Sequence, residues 1–372
     1  MPQVTEKPKN RIAVRVLIGL GTFLTVIAIF SIWAERQALN TDEWGNTSAK
    51  LLKDKNVQVA LSTYLTNELF NNVDVQAQIA AQLPPRAAPL AGPITGALRQ
   101  TATTAAEHAL AVPQVQEAWK AANLAAHREL LDVINDKGQF TSTGGGDVVL
   151  ELKPLVAQLT SQLGISADVA DKLPPDIASL TILHSDSIQT AQTVAKLIKG
   201  LAVVLTILAL ACFALAIYLS DRRPGTIVWC GLGLIFAGIV VFALRHVAGK
   251  AVVDALVVND SATPAGNSVW SIGTSLMTSI ATTVIVYGVL FVIAGWLASA
   301  TASARWARKQ LAPVLRDHAA LVYGLLVAAA LIYFAFAPTH GLRAVLTLLI
   351  LAGLAAVGIN GLRKQTAAEF PA

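Results

Sequence analysis

Six long apolar runs constrain this chain more than any other feature of its sequence. They are Ile12–Trp33, Leu201–Ser220, Thr226–Leu244, Met277–Leu297, Ala319–Ala337 and Ala344–Asn360. A helix needs about 20 apolar residues to cross the hydrocarbon core of a bilayer. Runs of this length are read as helices, because a helix satisfies its own backbone hydrogen bonds in lipid. The sequence therefore predicts an all-α membrane protein with six transmembrane helices.

The composition excludes two other classes of protein. Hydrophobic residues make up 54% of the chain and charged residues 14%, against about 25% charged residues in soluble domains. A soluble fold of this composition would expose large apolar patches. A disordered chain is excluded because disordered chains are poor in apolar residues.

The first run is predicted to be an uncleaved signal anchor. It follows Lys7, Lys9 and Arg11, as a signal peptide would. However, its apolar part is longer than the roughly 7–15 residues of a signal-peptide core, and Ser31–Ala34 is a poor cleavage site.

Positive charge predicts the orientation, since Lys and Arg are enriched on the cytoplasmic side. With the amino terminus inside, the inner segments carry twelve Lys and Arg and the short outer segments carry five. Both termini of this multi-pass protein are therefore expected in the cytoplasm. The predicted parts are a tail (1–11), a first transmembrane helix (12–33), an extracytoplasmic domain (34–195) and a five-helix membrane domain (196–372).

The extracytoplasmic segment 34–195 is predicted to be mainly helical. It carries seventeen acidic and eleven basic residues, a net charge of −6, and no cysteine. Apolar residues recur at three-to-four spacing from Val57 to Leu69, which is typical of a helix face. Two short runs, Val148–Leu152 and Leu180–Leu183, are candidates for a small two-stranded ribbon. The basic residues outside this segment flank the spans, which favours lipid rather than nucleic acid as their partner.

The residue patterns of two segments beside the spans predict amphipathic helices. Ser303–Arg316 alternates apolar and basic residues, so it is either an interfacial helix that binds anionic lipid or a basic loop that enforces the topology. Val247–Val258 continues the third run outward with one apolar side. Docking of that side on the outer domain would bury Val252 and Leu256.

The order of these features resembles a group of uncharacterised multi-pass membrane proteins from actinobacteria. The residues that carry the resemblance are Leu39–Trp44, Val57–Val73, Val149–Leu155, Leu183–Asp186 and Ala191-Gln192. The resemblance implies a cell-envelope membrane protein and no particular activity. The topology also resembles half of a resistance-nodulation-division exporter, which relies on charged residues within a central span. The six runs carry no Asp, Glu, Lys, Arg or His deep inside.

Hydroxyl groups in the fourth run form a candidate polar conduit. These residues are Ser275, Thr278, Ser279, Thr282 and Thr283. The favoured interpretation is that they bond to their own helix carbonyls or to a neighbouring span.

Basic residues near the membrane edges are candidate contacts for anionic headgroups. They are Arg245, His246, Lys250 and Arg343 on the outer side, and Arg305, Arg308 and Lys309 on the inner side. For the outer group, ordinary snorkelling of basic side chains at helix ends is favoured over a binding rim.

No motif predicts catalysis, a cofactor or a metal. The six histidines have no metal-ligand spacing, and His108 and His127 are expected to be surface or interhelical residues. Cys212 and Cys230 are expected to behave as small hydrophobes rather than as a redox pair. The preferred hypothesis is a non-enzymatic envelope protein whose outer domain binds another envelope protein or a ligand. The alternative is a transporter, or transporter subunit, for lipid or a small apolar solute. A membrane enzyme that acts on lipid is the third hypothesis.

Overall fold

The computed structural model describes residues 10–135, 141–142, 148–151, 179–183, 185–257, 259–317 and 342–369. In these residues four helices are long and apolar enough to cross a membrane. They are α1 (Arg11–Leu39), α7 (Ser185–Tyr218), α8 (Arg223–Leu256) and α10 (Ser275–Leu297). These four helices match the first four predicted runs, although α7 ends two residues before the second run does. The predicted fifth run, 319–337, lies outside the described residues.

Three of these helices differ in length from the apolar runs that they match. Helix α1 continues six residues past Trp33, to Leu39. Helix α7 starts at Ser185, so the predicted helix before the second run does continue into it without a break. Helix α8 continues to Leu256, as predicted from its apolar side. The added residues include polar ones. Polar residues can also be helical, so a helix need not end where its apolar run ends.

Five helices follow α1 in close succession. They are α2 (Thr41–Lys53), α3 (Lys55–Asn72), α4 (Val75–Gln82), α5 (Ala91–Ala111) and α6 (Pro113–Ile134). A 3-10 turn, Ala88–Leu90, precedes α5. This arrangement agrees with the mainly helical character predicted for this part of the chain.

Short polar side chains mark the starts of α2, α3 and α4. Asn40, Asp54 and Asp74 each accept a hydrogen bond from a backbone N–H in the first turn of the following helix, at 2.9–3.2 Å. Such caps satisfy N–H groups that have no partner within the helix. The close spacing of the caps breaks this region into short helices that fold back on one another.

A small antiparallel sheet lies between α6 and α7 in the sequence. Its strands are β1 (Thr141–Ser142), β2 (Val148–Glu151) and β3 (Ser179–Leu183), in the order β1-β2-β3. Strand β2 pairs with β3 with Glu151 opposite Ser179 and Leu150 opposite Leu180. The two runs that were candidates for a ribbon are thus neighbours, and β1 adds a third strand.

Three further helices complete the described chain. They are α9 (Thr263–Gly273), α11 (Ala302–Asp317) and α12 (Leu342–Glu369). Helix α12 contains the predicted sixth run. Helix α9 packs against α2 and α3.

The described residues belong to two compact units. The first unit comprises those within Met1–Ile29, Val204–Phe242 and Thr278–Ala372, and the second those within Phe30–Val203 and Ala243–Met277. The second unit therefore includes the predicted outer domain, 34–195, together with the end of α8 and all of α9.

In the first unit, α8 and α10 pack backbone to backbone in antiparallel directions. A Cβ added to Gly231 would lie 2.6 Å from the carbonyl oxygen of Gly288, and a Cβ added to Gly288 would lie 2.6 Å from that of Gly231. A Cβ added to Gly295 would lie 2.8 Å from the Pro224 carbonyl oxygen. Only residues without a side chain permit this approach, which is typical of membrane helix pairs.

In the second unit, the carboxyl-terminal end of α8 packs against α9. Gly249 faces Trp270, and Val253, which is 4% exposed, is close to Gly266 of α9. Of the two residues that docking was expected to bury, Val252 is half-buried and Leu256 is 74% exposed, so the prediction is wrong for Leu256. The helix turns Val253 inward instead, and α9 makes the contact with α2 and α3.

Candidate functional site

An open apolar groove lies between α4 and the start of α5, in the second unit. It has a volume of about 420 Å³. Its lining residues are Val75, Gln78, Ile79, Gln82, Leu83 and Ile94. Four of the six are aliphatic, and the two glutamines contribute amide groups that can donate and accept hydrogen bonds. The groove suits an apolar ligand with polar groups at its edge.

A row of exposed aliphatic side chains continues from the groove, from the last residue of the 3-10 turn into α5. Leu90, Ile94 and Leu98 are 55%, 41% and 46% exposed, respectively. Their spacing of four residues places them on one helix face. At 1.5 Å per residue, the row is about 12 Å long. Helices that bind in grooves are recognised through rows of this kind.

Helix α3 also turns apolar side chains outward. Its buried positions are Gln58, Ser62, Thr66 and Phe70, whereas Leu65 and Leu69 of the predicted apolar stripe are 46% and 57% exposed. Helix α3 packs against α2, α5 and α9. The stripe predicted from the sequence is thus helical, but Leu65 and Leu69 do not belong to the core of this unit.

The hydroxyl groups of the candidate conduit are engaged along the chain itself. Thr282 Oγ1 donates to the Thr278 carbonyl at 2.9 Å, and Thr283 Oγ1 donates to the Ser279 carbonyl at 2.9 Å. Ser275 Oγ donates to the Ile272 carbonyl at 2.7 Å. Thr282 and Thr283 thus bond to carbonyls of their own helix, whereas Ser275 bonds to the last turn of α9.

The candidate headgroup contacts predicted for the outer side differ in exposure where the structure describes them. Arg245 is half-buried and its Nε donates to Thr274 Oγ1 at 2.7 Å. His246 and Lys250 are exposed. The side chain of Arg343 lies outside the described residues. The Arg245 contact instead connects α8 to the residue that follows α9, within the second unit.

The inner candidates divide into one buried and two exposed residues. Arg308 is fully buried. It donates to both carboxylate oxygens of Glu369, at 3.0 and 2.9 Å, to the Ser299 carbonyl at 2.7 Å, and to the Leu297 carbonyl. Arg305 and Lys309 are exposed. Arg308 is therefore a structural residue that joins the ends of α10 and α12. Arg305 and Lys309 remain candidate contacts for headgroups.

The electrostatics of that ion pair favour the charged carboxylate. Hydrogen bonding from Arg308 lowers the pKa of Glu369 below its ordinary value. The same guanidinium donates to the last carbonyl of α10, at Leu297, and to the Ser299 carbonyl just beyond it, where a cation is favourable because the helix dipole is negative at that end. One arginine thereby satisfies three acceptor groups.

His127 is an interhelical residue, as predicted, and lies in the second unit. It is 5% exposed, and its ring stacks on Trp44 with centroids 5.1 Å apart. Its ring nitrogens lie 3.3 Å from Thr41 Oγ1 and 3.3 Å from the Ala38 carbonyl oxygen. Burial lowers the pKa of His127, so the neutral ring is favoured. The residue connects α6 to the junction of α1 and α2.

The remaining candidate chemistry is sparse in the described part of the chain. No group of three or more His, Cys, Asp or Glu residues there could hold a metal ion. Cys212 is half-buried, Cys230 is buried, and both thiols are free. His108 is exposed, while His184, His318 and His340 lie outside the described residues.

Comparison with known proteins adds no assignment. The chain matches no family model, no curated protein and no solved structure. The groove is therefore the candidate site on its geometry alone. Sequence analysis missed it, although the spacing of Leu90, Ile94 and Leu98 was the signal that could have found it.

Proposed function

We propose that this protein is a non-enzymatic membrane protein of the cell envelope that binds an apolar helix of a partner protein. The binding site is the groove between α4 and α5 together with the row Leu90, Ile94 and Leu98. The observation that carries the proposal is the exposure of this row, which continues directly from a groove lined by Ile94. Exposed apolar patches on folded domains mark interaction sites.

The shape of the surface favours a helix as the occupant. A row of residues four positions apart, about 12 Å long, matches the i, i+4 and i+7 anchors of a helix packed alongside. Gln78 and Gln82 are exposed at the groove, where their amides can bond the polar side of such a helix. The partner is expected in the same membrane or beside it, because this chain is membrane-embedded and its site is expected on the extracytoplasmic side.

Transport is the less favoured function. A conduit for lipid or a small apolar solute would use the hydroxyl groups of α10. Thr282 and Thr283 donate to carbonyls of their own helix, and Thr282 is exposed on the helix surface. Helices α8 and α10 approach so closely at Gly231 and Gly288 that this pair has no room for a solute between them.

Photocrosslinking in native membranes tests the proposal. A photoreactive amino acid is placed at Ile94 or Leu98, and the control carries it at Val115, which is 37% exposed on α6. We expect a discrete protein adduct from the first two positions and none from the third. The adduct should disappear when Ile79→Glu places a charge in the groove.

Two outcomes would reject the proposal. Adducts of lipid alone at Ile94 and Leu98 would favour a lipid carrier. Equal adducts at Val115 would indicate nonspecific contact. A melting temperature of the Ile79→Glu variant close to that of the unsubstituted protein shows that lost crosslinking reflects binding rather than unfolding.

A further inference from the structure

Helix α11 carries a surface that is separate from the groove and close to the end of α10. Helix α10 ends at Leu297 and α11 begins at Ala302. Five residue steps span at most about 17 Å of extended chain, so α11 starts near the end of a membrane-spanning helix. Trp296 Nε1 donates to Ser303 Oγ at 3.3 Å, which brings the two helix ends closer than this limit. Helix α11 therefore lies at the membrane boundary.

The buried Arg308 fixes which face of α11 turns outward. Its guanidinium is held by the Glu369 carboxylate and by the carbonyls of Leu297 and Ser299. Ala304, one turn earlier, is also fully buried. With 3.6 residues per turn, a residue two positions from Arg308 points to the opposite side of the helix.

Trp306 lies on that opposite side, and two cations lie on the flank of the helix between it and Arg308. Trp306 is 67% exposed, and Arg305 and Lys309 are exposed beside it. Arg305 also donates to the Ala300 carbonyl at 3.4 Å. Glu369 neutralises Arg308, so Arg305 and Lys309 provide the excess positive charge of this face. Tryptophan is enriched where its ring can lie at the headgroup level of a bilayer.

We propose that Arg305, Trp306 and Lys309 form a binding surface for anionic phospholipid headgroups. The two cations would bind the phosphate groups while the indole of Trp306 inserts between headgroups. Charge complementarity selects this ligand, because each Lys or Arg near an anionic membrane surface contributes attraction. The position of α11 next to a spanning helix supplies the surface. The proposal is independent of the groove and of its partner.

Native mass spectrometry of the full chain in neutral detergent tests this surface. Phosphatidylglycerol is the anionic probe and phosphatidylcholine the zwitterionic one. We expect the protein to retain phosphatidylglycerol preferentially. The double variant Arg305→Gln/Lys309→Gln should bind it roughly tenfold more weakly, and the charge-retaining variant Arg305→Lys/Lys309→Arg should restore most of the binding.

A matched control removes two exposed charges elsewhere. Lys50→Gln/Lys53→Gln on α2 should bind phosphatidylglycerol as the unsubstituted chain does. Equal binding of both lipids by the unsubstituted chain would overturn the proposal. So would unchanged binding by the Arg305→Gln/Lys309→Gln variant, or an equal loss in the α2 control. Trp306→Ala should weaken binding of both lipids, because the indole contacts headgroups of either charge.

Discussion

The two units of the molecule both expose large apolar side chains, but a larger share of the first unit consists of helices that are apolar enough to cross a membrane. In the first unit, Ile207, Leu210, Phe236 and Ile239 are 54–64% exposed on α7 and α8, and lipid is the expected neighbour of such helices. In the second unit, comparable exposure occurs on α5, which is not among the helices that are apolar enough to cross a membrane. The comparison teaches that exposed apolar surface indicates a binding site only where lipid does not account for it.

The units also differ in how their helices are held together. In the first unit, glycine allows the backbones of α8 and α10 to touch. In the second, aromatic side chains donate to helix carbonyls, as with Trp119 Nε1 to Ser48 at 3.1 Å and Trp33 Nε1 to Gly273 at 3.0 Å. Close packing dominates in lipid, where there is no hydrophobic drive between helices. Side-chain hydrogen bonds fix the register of helices that meet in a more polar setting.

The largest effect is expected at the backbone contact of the first unit. Gly231→Ala puts a Cβ 2.6 Å from the Gly288 carbonyl oxygen, so α8 and α10 must separate. We expect a loss of about 2–3 kcal/mol in the free energy of unfolding, measured by denaturant titration in detergent. Gly225→Ala on the same helix is the control, because a Cβ there has no neighbour within 4 Å. Equal stability of the two variants would show that the close contact is not essential.

A smaller effect is expected at a hydrogen bond of the second unit. Trp119→Phe removes the indole N–H that donates to the Ser48 carbonyl and keeps most of the aromatic surface. Loss of one such bond costs about 1 kcal/mol. Tyr64→Phe, at a residue that is 63% exposed, should change the free energy of unfolding by less than about 0.5 kcal/mol. A Trp119→Phe variant as stable as this control would contradict the distinction between the units.

The smallest effect is a pH dependence at His127. Its pKa in the folded chain is lowered by burial, below the value of about 6.5 for a free histidine. Above that pH both folded and unfolded chains hold the ring neutral. As the pH falls below it, the unfolded chain takes up the proton more readily, so the folded state loses stability.

Melting temperatures between pH 7.5 and 5.5 measure this dependence. The unsubstituted chain should melt at a lower temperature at the acidic end. His127→Gln should reduce that fall, while His108→Gln, at an exposed position, should leave it unchanged. A fall of the same size in both variants would assign the pH dependence to other groups.

The sequence predicted the positions of the helices better than it predicted which faces of the helices pack together. Apolar length located α1, α7, α8 and α10, because crossing lipid imposes a length. Periodicity along α3 identified the stripe that includes Leu65 and Leu69, but it could not tell whether a neighbouring helix covers them. The buried positions of α3 are Gln58, Ser62, Thr66 and Phe70 instead, because burial depends on where the neighbouring helices pack.

The same limit applies to charged residues. Arg305 and Arg308 are the same residue type in the same helix, and spacing alone gave them one role. Glu369 distinguishes them, because it approaches only Arg308 closely enough for a bidentate pair. A contact between residues 61 positions apart leaves no local signal in the sequence.

The accessibility of Ile94 in native membranes tests the central claim most directly. A cysteine is placed at Ile94 or at Val115 in a chain carrying Cys212→Ala and Cys230→Ala, and its reaction with a membrane-impermeant maleimide is timed. We predict that the Ile94 cysteine reacts several-fold more slowly in native membranes than in the purified protein, while the Val115 cysteine reacts equally in both. Equal rates at Ile94 in the two preparations would contradict the claim that a partner covers this surface.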